Sequence, residues 1–299
     1  MSKTNMELVN LAKRHGLNIS VDSLKKNESG LDFLVVMTTD EKGDRWVLRI
    51  PRRNDVIPTA KKEKKILELA GPKLSVQSPN WEVYSEELIA YKLLEGVPAG
   101  TIDPEAKAYI WELDEKNVPD SFHSSLGKAM SELHNSISHD DAMRSGIKVL
   151  TPENVRTSME ERMRLVKQEF GVGEELWQRW QRWLHNDLLW PQHTAFIHGD
   201  LHAGHILINS EAYVTGIIDW TEARVDDPIN DFSVHYAAFG EVAVKKLFKE
   251  YEAFGGKTWP NMYQHLLESQ AAYPVGIAEF ALKSGLEEYM KMAKETLQV

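Results

Sequence analysis

Apolar and polar positions change their rhythm several times along the chain. Residues 4–15 carry apolar side chains at helical spacing, with Thr4 and Glu7 in a capping-box pattern and Gly16 at the stop, which predicts an amphipathic helix. Apolar, β-branched runs follow at 31–38 and 45–50, joined by the turn residues Asp40-Glu41-Lys42-Gly43-Asp44; these predict two strands. A helix is predicted over 59–70, after Pro58 and before Gly71-Pro72, and two more strands at 81–84 and 88–94. Past the turn-rich stretch Glu95-Gly96-Val97-Pro98-Ala99-Gly100 the pattern becomes mainly helical. Helices are predicted over 122–137, 152–170, 174–189, 229–254 and 260–297. A short strand-like island at 195–219 interrupts them. No internal repeat or low-complexity tract is evident. The expectation is an α+β chain of two lobes, a strand-rich one over residues 1–95 and a mainly helical one over 96–299.

A length of 299 residues allows two lobes with substantial cores. Hydrophobic residues make up 42% and charged residues 27%, a globular profile. The chain has no cysteine, which excludes disulfides and thiolate metal sites and suits a reducing, cytoplasmic location. The first residues lack the apolar core of a signal peptide, and no apolar run approaches the roughly 18 residues of a membrane span. No membrane association is expected. The formal net charge of −10 argues against a nucleic-acid partner, which needs a basic face. It fits a small or cationic substrate better.

Candidate chemistry concentrates in the island. The stretch Phe196-Ile197-His198-Gly199-Asp200-Leu201-His202-Ala203-Gly204-His205-Ile206-Leu207-Ile208 passes from an apolar run through a glycine-containing polar loop to another apolar run. Val214-Thr215-Gly216-Ile217-Ile218-Asp219-Trp220 then ends a strand in a carboxylate, 19 residues after Asp200. Phosphoryl transfer needs an orienting base beside the attacking hydroxyl and groups that hold Mg²⁺ on the phosphates. Asp200 suits the first role. Asp219 suits the second because a hard cation prefers carboxylate oxygen, and His205 can add a softer ligand. His202 either takes part or bonds backbone carbonyls within the loop. A rival reading groups His198, His202, His205 and Asp200 as a zinc hydrolase cluster. Its spacing is not the helical His-Glu-x-x-His pattern. A second rival is a kinase-like binding module that has lost activity, although both carboxylates are in place. Trp177, Trp180, Trp183 and Trp190 have near-helical spacing and read as core, with the wall of an apolar pocket as the alternative. His134, His139, His185 and His193 read as solvated.

His198-Gly199-Asp200 through His205, followed by Ile218-Asp219-Trp220, resembles the catalytic loop and metal-binding strand of the aminoglycoside phosphotransferase-like superfamily, which shares the protein-kinase fold. The fuller strings His198–His205 and Gly216–Ala223 are similar to those of the macrolide 2′-phosphotransferases. The resemblance covers nearly the whole chain. It implies a bilobal protein-kinase-like α+β fold, with a small antiparallel-sheet N-terminal lobe and a larger helical C-terminal lobe. It implies Asp200 as catalytic base and His205 and Asp219 on Mg²⁺. Arg49, in Trp46-Val47-Leu48-Arg49-Ile50-Pro51-Arg52-Arg53, stands where protein kinases carry the lysine on the nucleotide phosphates, with Glu63 as its acidic partner. Ser29 and Gly30 fall at the phosphate-covering loop, and Tyr91, Leu93, Leu94 and Glu95 on the strand and hinge beside the purine. Asp231 is implied as a brace for the catalytic loop. The substrate side is implied to involve Asp200, His202, Asp231, Tyr236, Tyr273 and Phe280. The implied donor is GTP, with ATP as second choice. The implied acceptor is the amino-sugar 2′-hydroxyl of a macrolide, whose phosphorylation confers resistance; an aminoglycoside or other small amino alcohol is the alternative. A monomer is expected.

Overall fold

The computed structural model describes residues 3–28, 30–103 and 108–299. In chain order the elements are α1 (Asn5–Arg14), β1 (Lys25–Asn27), β2 (Phe33–Thr39), β3 (Arg45–Pro51), α2 (Ile57–Ala70), β4 (Trp81–Tyr84), β5 (Ile89–Lys92), β6 (Val97–Pro98), β7 (Gly100–Asp103) and β8 (Ala108–Trp111). They continue with α3 (Asp120–His134), α4 (His139–Arg144), α5 (Pro152–Phe170), α6 (Glu174–Leu184), β9 (Ala195–Ile197), β10 (Ile206–Ile208), β11 (Val214–Ile217), β12 (Arg224–Asp226), α7 (Asn230–Ala253), α8 (Met262–Ala271), α9 (Tyr273–Ser284) and α10 (Glu287–Leu297). Two compact units result. One comprises Met1–Ser125, Ser145–Ile147 and Ala203–Ala223; the other comprises Leu126–Arg144, Lys148–His202 and Arg224–Val299. The fold is α+β.

The first unit is built on a five-stranded antiparallel sheet in the order β1-β2-β3-β5-β4. Its central strand β3 is buried on both faces, and the side chains divide by parity. Trp46, Leu48 and Ile50 join Leu8, Leu11 and Ala12 of α1 in one core. Val47 points the other way, into a core with Phe33, Ile89, Tyr91 and Ala60 of α2. Arg49 shares that second parity, which is why it meets α2. The capping box of α1 is complete: Glu7 N donates to Thr4 Oγ1, and Thr4 N donates to the Glu7 carboxylate at 2.7 Å. Beyond the sheet, β6, β10 and β11 form a second, three-stranded ladder, and β7 pairs with β8.

The second unit is helical apart from the β9–β12 pair. Its core joins Met163 and Val166 of α5, Trp180 and Trp183 of α6, Trp190, Val275 and Ala278 of α9, and Ala293 and Leu297 of α10. Three of the four tryptophans are thus core, and Trp177 packs against its edge. Residues 260–297, expected as one helical stretch, form three helices. Pro274 opens α9 at a position that needs no amide hydrogen, and Gly285 closes it in the left-handed region at φ +66°. The expected helix over 229–254 is broken at Gly240, whose φ of 76° and ψ of −167° interrupt α7. Strands β1, β7 and β12 carry too few apolar residues for the pattern to reveal them, and β8, though apolar, is only four residues long. Among the described residues no helix is long and apolar enough to cross a membrane.

Gly96 lies between β5 and β6 with φ +99°. A Cβ there would sit 2.4 Å from Thr215 Oγ1 and 2.7 Å from the Ile208 carbonyl oxygen. Thr215 Oγ1 is itself held, donating to the Glu95 carbonyl at 2.7 Å. Gly96→Ala should therefore lower stability by about 1–3 kcal/mol, read as a lower melting temperature than wild type. An unchanged melting temperature would contradict this packing.

Candidate active site

In the first unit, the outward parity of β3 buries Arg49 against α2. Arg49 Nη1 donates to Glu63 Oε1 at 2.7 Å. Both side chains are buried, Glu63 at 1% exposure. The guanidinium carbon lies 4.4 Å from the centroid of Phe33 and 5.6 Å from that of Trp81, a cation–π setting that suits a planar, weakly hydrated cation. Burial opposes the Arg49 charge, but the adjacent Glu63 carboxylate outweighs it and holds the guanidinium firmly protonated. Burial pushes Glu63 up, while Arg49 and the backbone amide of Trp220 pull it back.

Trp220 follows Asp219 at the end of β11. Asp219 has φ +63°, a left-handed conformation that is uncommon for a residue with a Cβ. Its carboxylate is exposed, and Oδ1 accepts from Thr221 Oγ1 at 3.0 Å. The β10–β11 ladder pairs Ile206 with Ile217, and the Ile218 amide donates to the His205 carbonyl at 3.0 Å. This sets His205 Nε2 3.7 Å from Asp219 Oδ2. Two ligands at right angles on bonds of about 2.1 Å stand roughly 3 Å apart. A small rotation would therefore let this imidazole and carboxylate share one cation.

The remaining residues of the nucleotide prediction lie in the same unit. Tyr91 is buried opposite Val47, and burial pushes its hydroxyl up to about 12. The Leu93 amide donates to the Arg45 carbonyl at 2.8 Å, and the Glu95 amide donates to Gln77 Oε1 at 2.8 Å. Leu94 opens onto a cavity shared with Leu67, Gln77 and Trp81. Gly30 approaches the Phe33 carbonyl so closely that a Cβ would lie 2.9 Å from it. Ser29 lies outside the described residues.

The chain passes from the second unit to the first between His202 and Ala203, so Asp200 and His202 belong to the second unit. The buried strand β9 delivers His198, which is fully buried, to a turn at Gly199 with φ +82°. Glycine suits that conformation, and it leaves Asp200 exposed. His198 Nδ1 accepts from the Asp200 amide at 3.3 Å, and the His202 amide donates to the Asp200 carbonyl at 3.0 Å. Beneath the turn lies the buried carboxylate of Asp231, in the first turn of α7. Its Oδ2 accepts from the His198 amide and its Oδ1 from the Gly199 amide, each at 2.8 Å. His134 Nε2 stands 3.1 Å from Oδ2, and His134 Nδ1 lies 2.9 Å from the Tyr251 hydroxyl. Burial would raise the Asp231 pKa. The hydrogen bond and charge of His134, the charge of His198 and the Gly199 amide outweigh burial and hold it below the usual carboxylate value.

His134 corrects the expectation of a solvated imidazole: it is buried at 6% exposure on the inward face of α3. His139 and His185 are exposed, and His193 is half-buried. The signal for His134 was its helical phase with Leu126 and Met130, both buried. Nothing local pointed to Tyr251. Of the three aromatic residues expected at the substrate, Tyr236 packs on Tyr263, while Phe280 packs on Tyr289. Tyr273 and Phe280 are exposed on α9.

The Asp231 brace has a pH signature. A depressed carboxylate contributes stability that is fully present above its unfolded pKa of about 3.9 and is lost as the pH falls through the folded value. Asp231→Asn should cost on the order of 3 kcal/mol at neutral pH. Melting curves of the two proteins should converge as the pH falls below about 4. A gap that is independent of pH would refute the assignment.

A model of the phosphotransferase enzyme family matches residues 23–265. The chain is 43% identical to the uncharacterized protein YcbJ of Bacillus subtilis (strain 168), covering 98% of this chain and 95% of that one. It superposes on macrolide 2′-phosphotransferase MphH from Brachybacterium faecium, in its apoenzyme form, with a TM-score of 0.91. Identity there is 34%, covering 98% of this chain and 97% of that one. For a macrolide 2′-phosphotransferase type I the TM-score is 0.88 at 38% identity, covering 99% of each chain. Family match, near full-length identity and fold agree: the chain belongs to the phosphotransferase enzyme family.

Proposed function

We propose that this phosphotransferase moves the γ-phosphoryl group of GTP to the 2′-hydroxyl of a macrolide's amino sugar, and so inactivates the drug. The observation that carries this reading is the near full-length likeness to two macrolide 2′-phosphotransferases. The strings His198–His205 and Gly216–Ala223 support it.

In this reading Asp200 is the base. Its exposed carboxylate accepts the hydroxyl proton as the acceptor oxygen bonds to phosphorus and the bond to the β-phosphate oxygen breaks, leaving GDP. Arg49, kept charged by Glu63, is assigned to the phosphates. His205 and Asp219 would hold Mg²⁺, which when bound neutralises phosphate charge. Tyr91 is assigned to the wall of the purine site. Guanine and adenine present different donor and acceptor edges, so backbone groups near residues 93–95 can tell them apart. The acidic chain, at −10, would attract the protonated dimethylamino group beside the acceptor hydroxyl. Apolar contact from aromatic residues such as Tyr236, Tyr273 and Phe280 would hold a large lactone with little discrimination between similar rings. Action as a cytoplasmic monomer completes the reading.

Incubation of erythromycin with the protein, GTP and Mg²⁺ should give a product heavier by one phosphoryl group and blocked at the 2′ position. Asp200→Asn should reduce turnover by on the order of 10²–10⁴-fold. Inertness towards several macrolides with turnover of an aminoglycoside would overturn the substrate. Wild-type turnover in Asp200→Asn would overturn the base. A clear kinetic preference for ATP would overturn the donor.

A further inference from the structure

The second unit holds a further buried imidazole–carboxylate pair besides His134–Asp231, its carboxylate four residues earlier in the chain. His265 of α8 is fully buried. It sits among three indoles, with ring centroids 4.9 Å from Trp190, 5.3 Å from Trp183 and 5.7 Å from Trp259. Trp183 Nε1 donates to His265 Nδ1 at 3.1 Å. An indole nitrogen can only donate, so Nδ1 must accept, and the ring is the tautomer with its hydrogen on Nε2. That hydrogen points to Asp227 Oδ2 at 2.7 Å. The other carboxylate oxygen, Oδ1, accepts from the Ile229 amide at 3.0 Å. The Asp227 amide donates to Asp226 Oδ1 at 2.8 Å, and its carbonyl accepts from the Asn230 amide at 3.2 Å.

Asp227 therefore shapes the turn that launches α7, and His265 orients its carboxylate. Four residues further on, Asp231 holds the His198 and Gly199 amides. Within the same turn the Asp231 amide reaches the Pro228 carbonyl at 3.4 Å and the Phe232 amide the Ile229 carbonyl at 3.1 Å. An apolar side chain at position 265 would fill an indole-lined space at lower desolvation cost. A buried ring bonded at both nitrogens has its chemical consequence at Asp227. We propose that His265 is a positioning residue of the phosphotransfer site. Locked as one tautomer by Trp183, it fixes the 226–231 turn and through Asp231 sets the backbone that presents Asp200. This rests on the reading of Asp200 as base.

The test uses the full chain and two readouts. Amide exchange followed residue by residue is independent of any reaction. Steady-state kinetics are scaled to the number of chains that bind GDP with Mg²⁺. His265→Ala should speed exchange at the His198 and Gly199 amides by about tenfold relative to β9. It should lower kcat by roughly tenfold without changing the nucleotide KM, as expected for a small misplacement of a reacting group. His265→Gln, whose side-chain amide can donate from the Nε2 position, should recover most of both losses. Unchanged exchange at His198 and Gly199 in His265→Ala would overturn the proposal. So would equal losses in the two variants, or a wild-type kcat per GDP-binding chain. If Asp200→Asn retains activity, the reading of the base falls, while the exchange result still decides whether His265 braces the loop.

Discussion

The second unit turns on one buried negative charge. A carboxylate out of water is tolerable only when its acceptor positions are filled by well-placed donors. Asp231 meets that condition with two amides from the 198–199 turn and an imidazole from α3. The requirement reaches outward from there. Both amides can face one carboxylate only if the chain turns sharply, which Gly199 allows at φ +82°. The imidazole needs its own orientation, which the Tyr251 hydroxyl supplies. Removing any member leaves the others buried without a counterpart. A loop that ends in an exposed acid is therefore anchored by groups that do not touch solvent.

The first unit meets a similar demand in a different way. The Arg49–Glu63 pair is buried and mutually neutralising, and aromatic faces flank the guanidinium. Pairs of this kind add little net stability compared with apolar packing of the same shape. What they add is register, because α2 can slide or rotate against β3 only by exposing an unpaired charge to the core. The backbone amide of Trp220 faces the same carboxylate, so the segment that carries Asp219 is referenced to the same point. The strained backbone at Asp219 is held within this arrangement.

Much of this was legible in the residue pattern, and what was not has identifiable causes. The capping box of α1, the strand at 81–84 and the helix from Pro152 to Phe170 lie where local signals put them. Each is encoded by residues within one or two turns. The Arg49–Glu63 pair could be expected from motif likeness but not from local chemistry, since Glu63 sits among lysines and reads as a surface charge. His134 was misjudged because its neighbours in sequence are polar, while its partners, Asp231 and Tyr251, lie about a hundred residues away along the chain. No local signal marked His265, whose partners Trp183 and Asp227 lie 82 and 38 residues away along the chain. Long-range pairing is also why the short strands β6 and β12 escaped notice: their partners, β10 and β9, lie far off along the chain. The break of residues 260–297 into three helices was in principle readable at Pro274 and Gly285.

The threading of the chain has a consequence for how the molecule comes to be folded. The first unit is assembled from stretches far apart in sequence, and β6 finds its partner β10 only after the chain has continued from Val97 to Ile208. Closing a loop of about 110 residues costs entropy before any contact repays it. On the ribosome, the β1–β5 sheet can form as soon as it emerges, but the β6–β10–β11 ladder must wait until the segment through β11 has been made. Interruption of synthesis within α5 or α6 would thus leave a sheet with no completed ladder. Neither unit can be obtained by cutting the chain once.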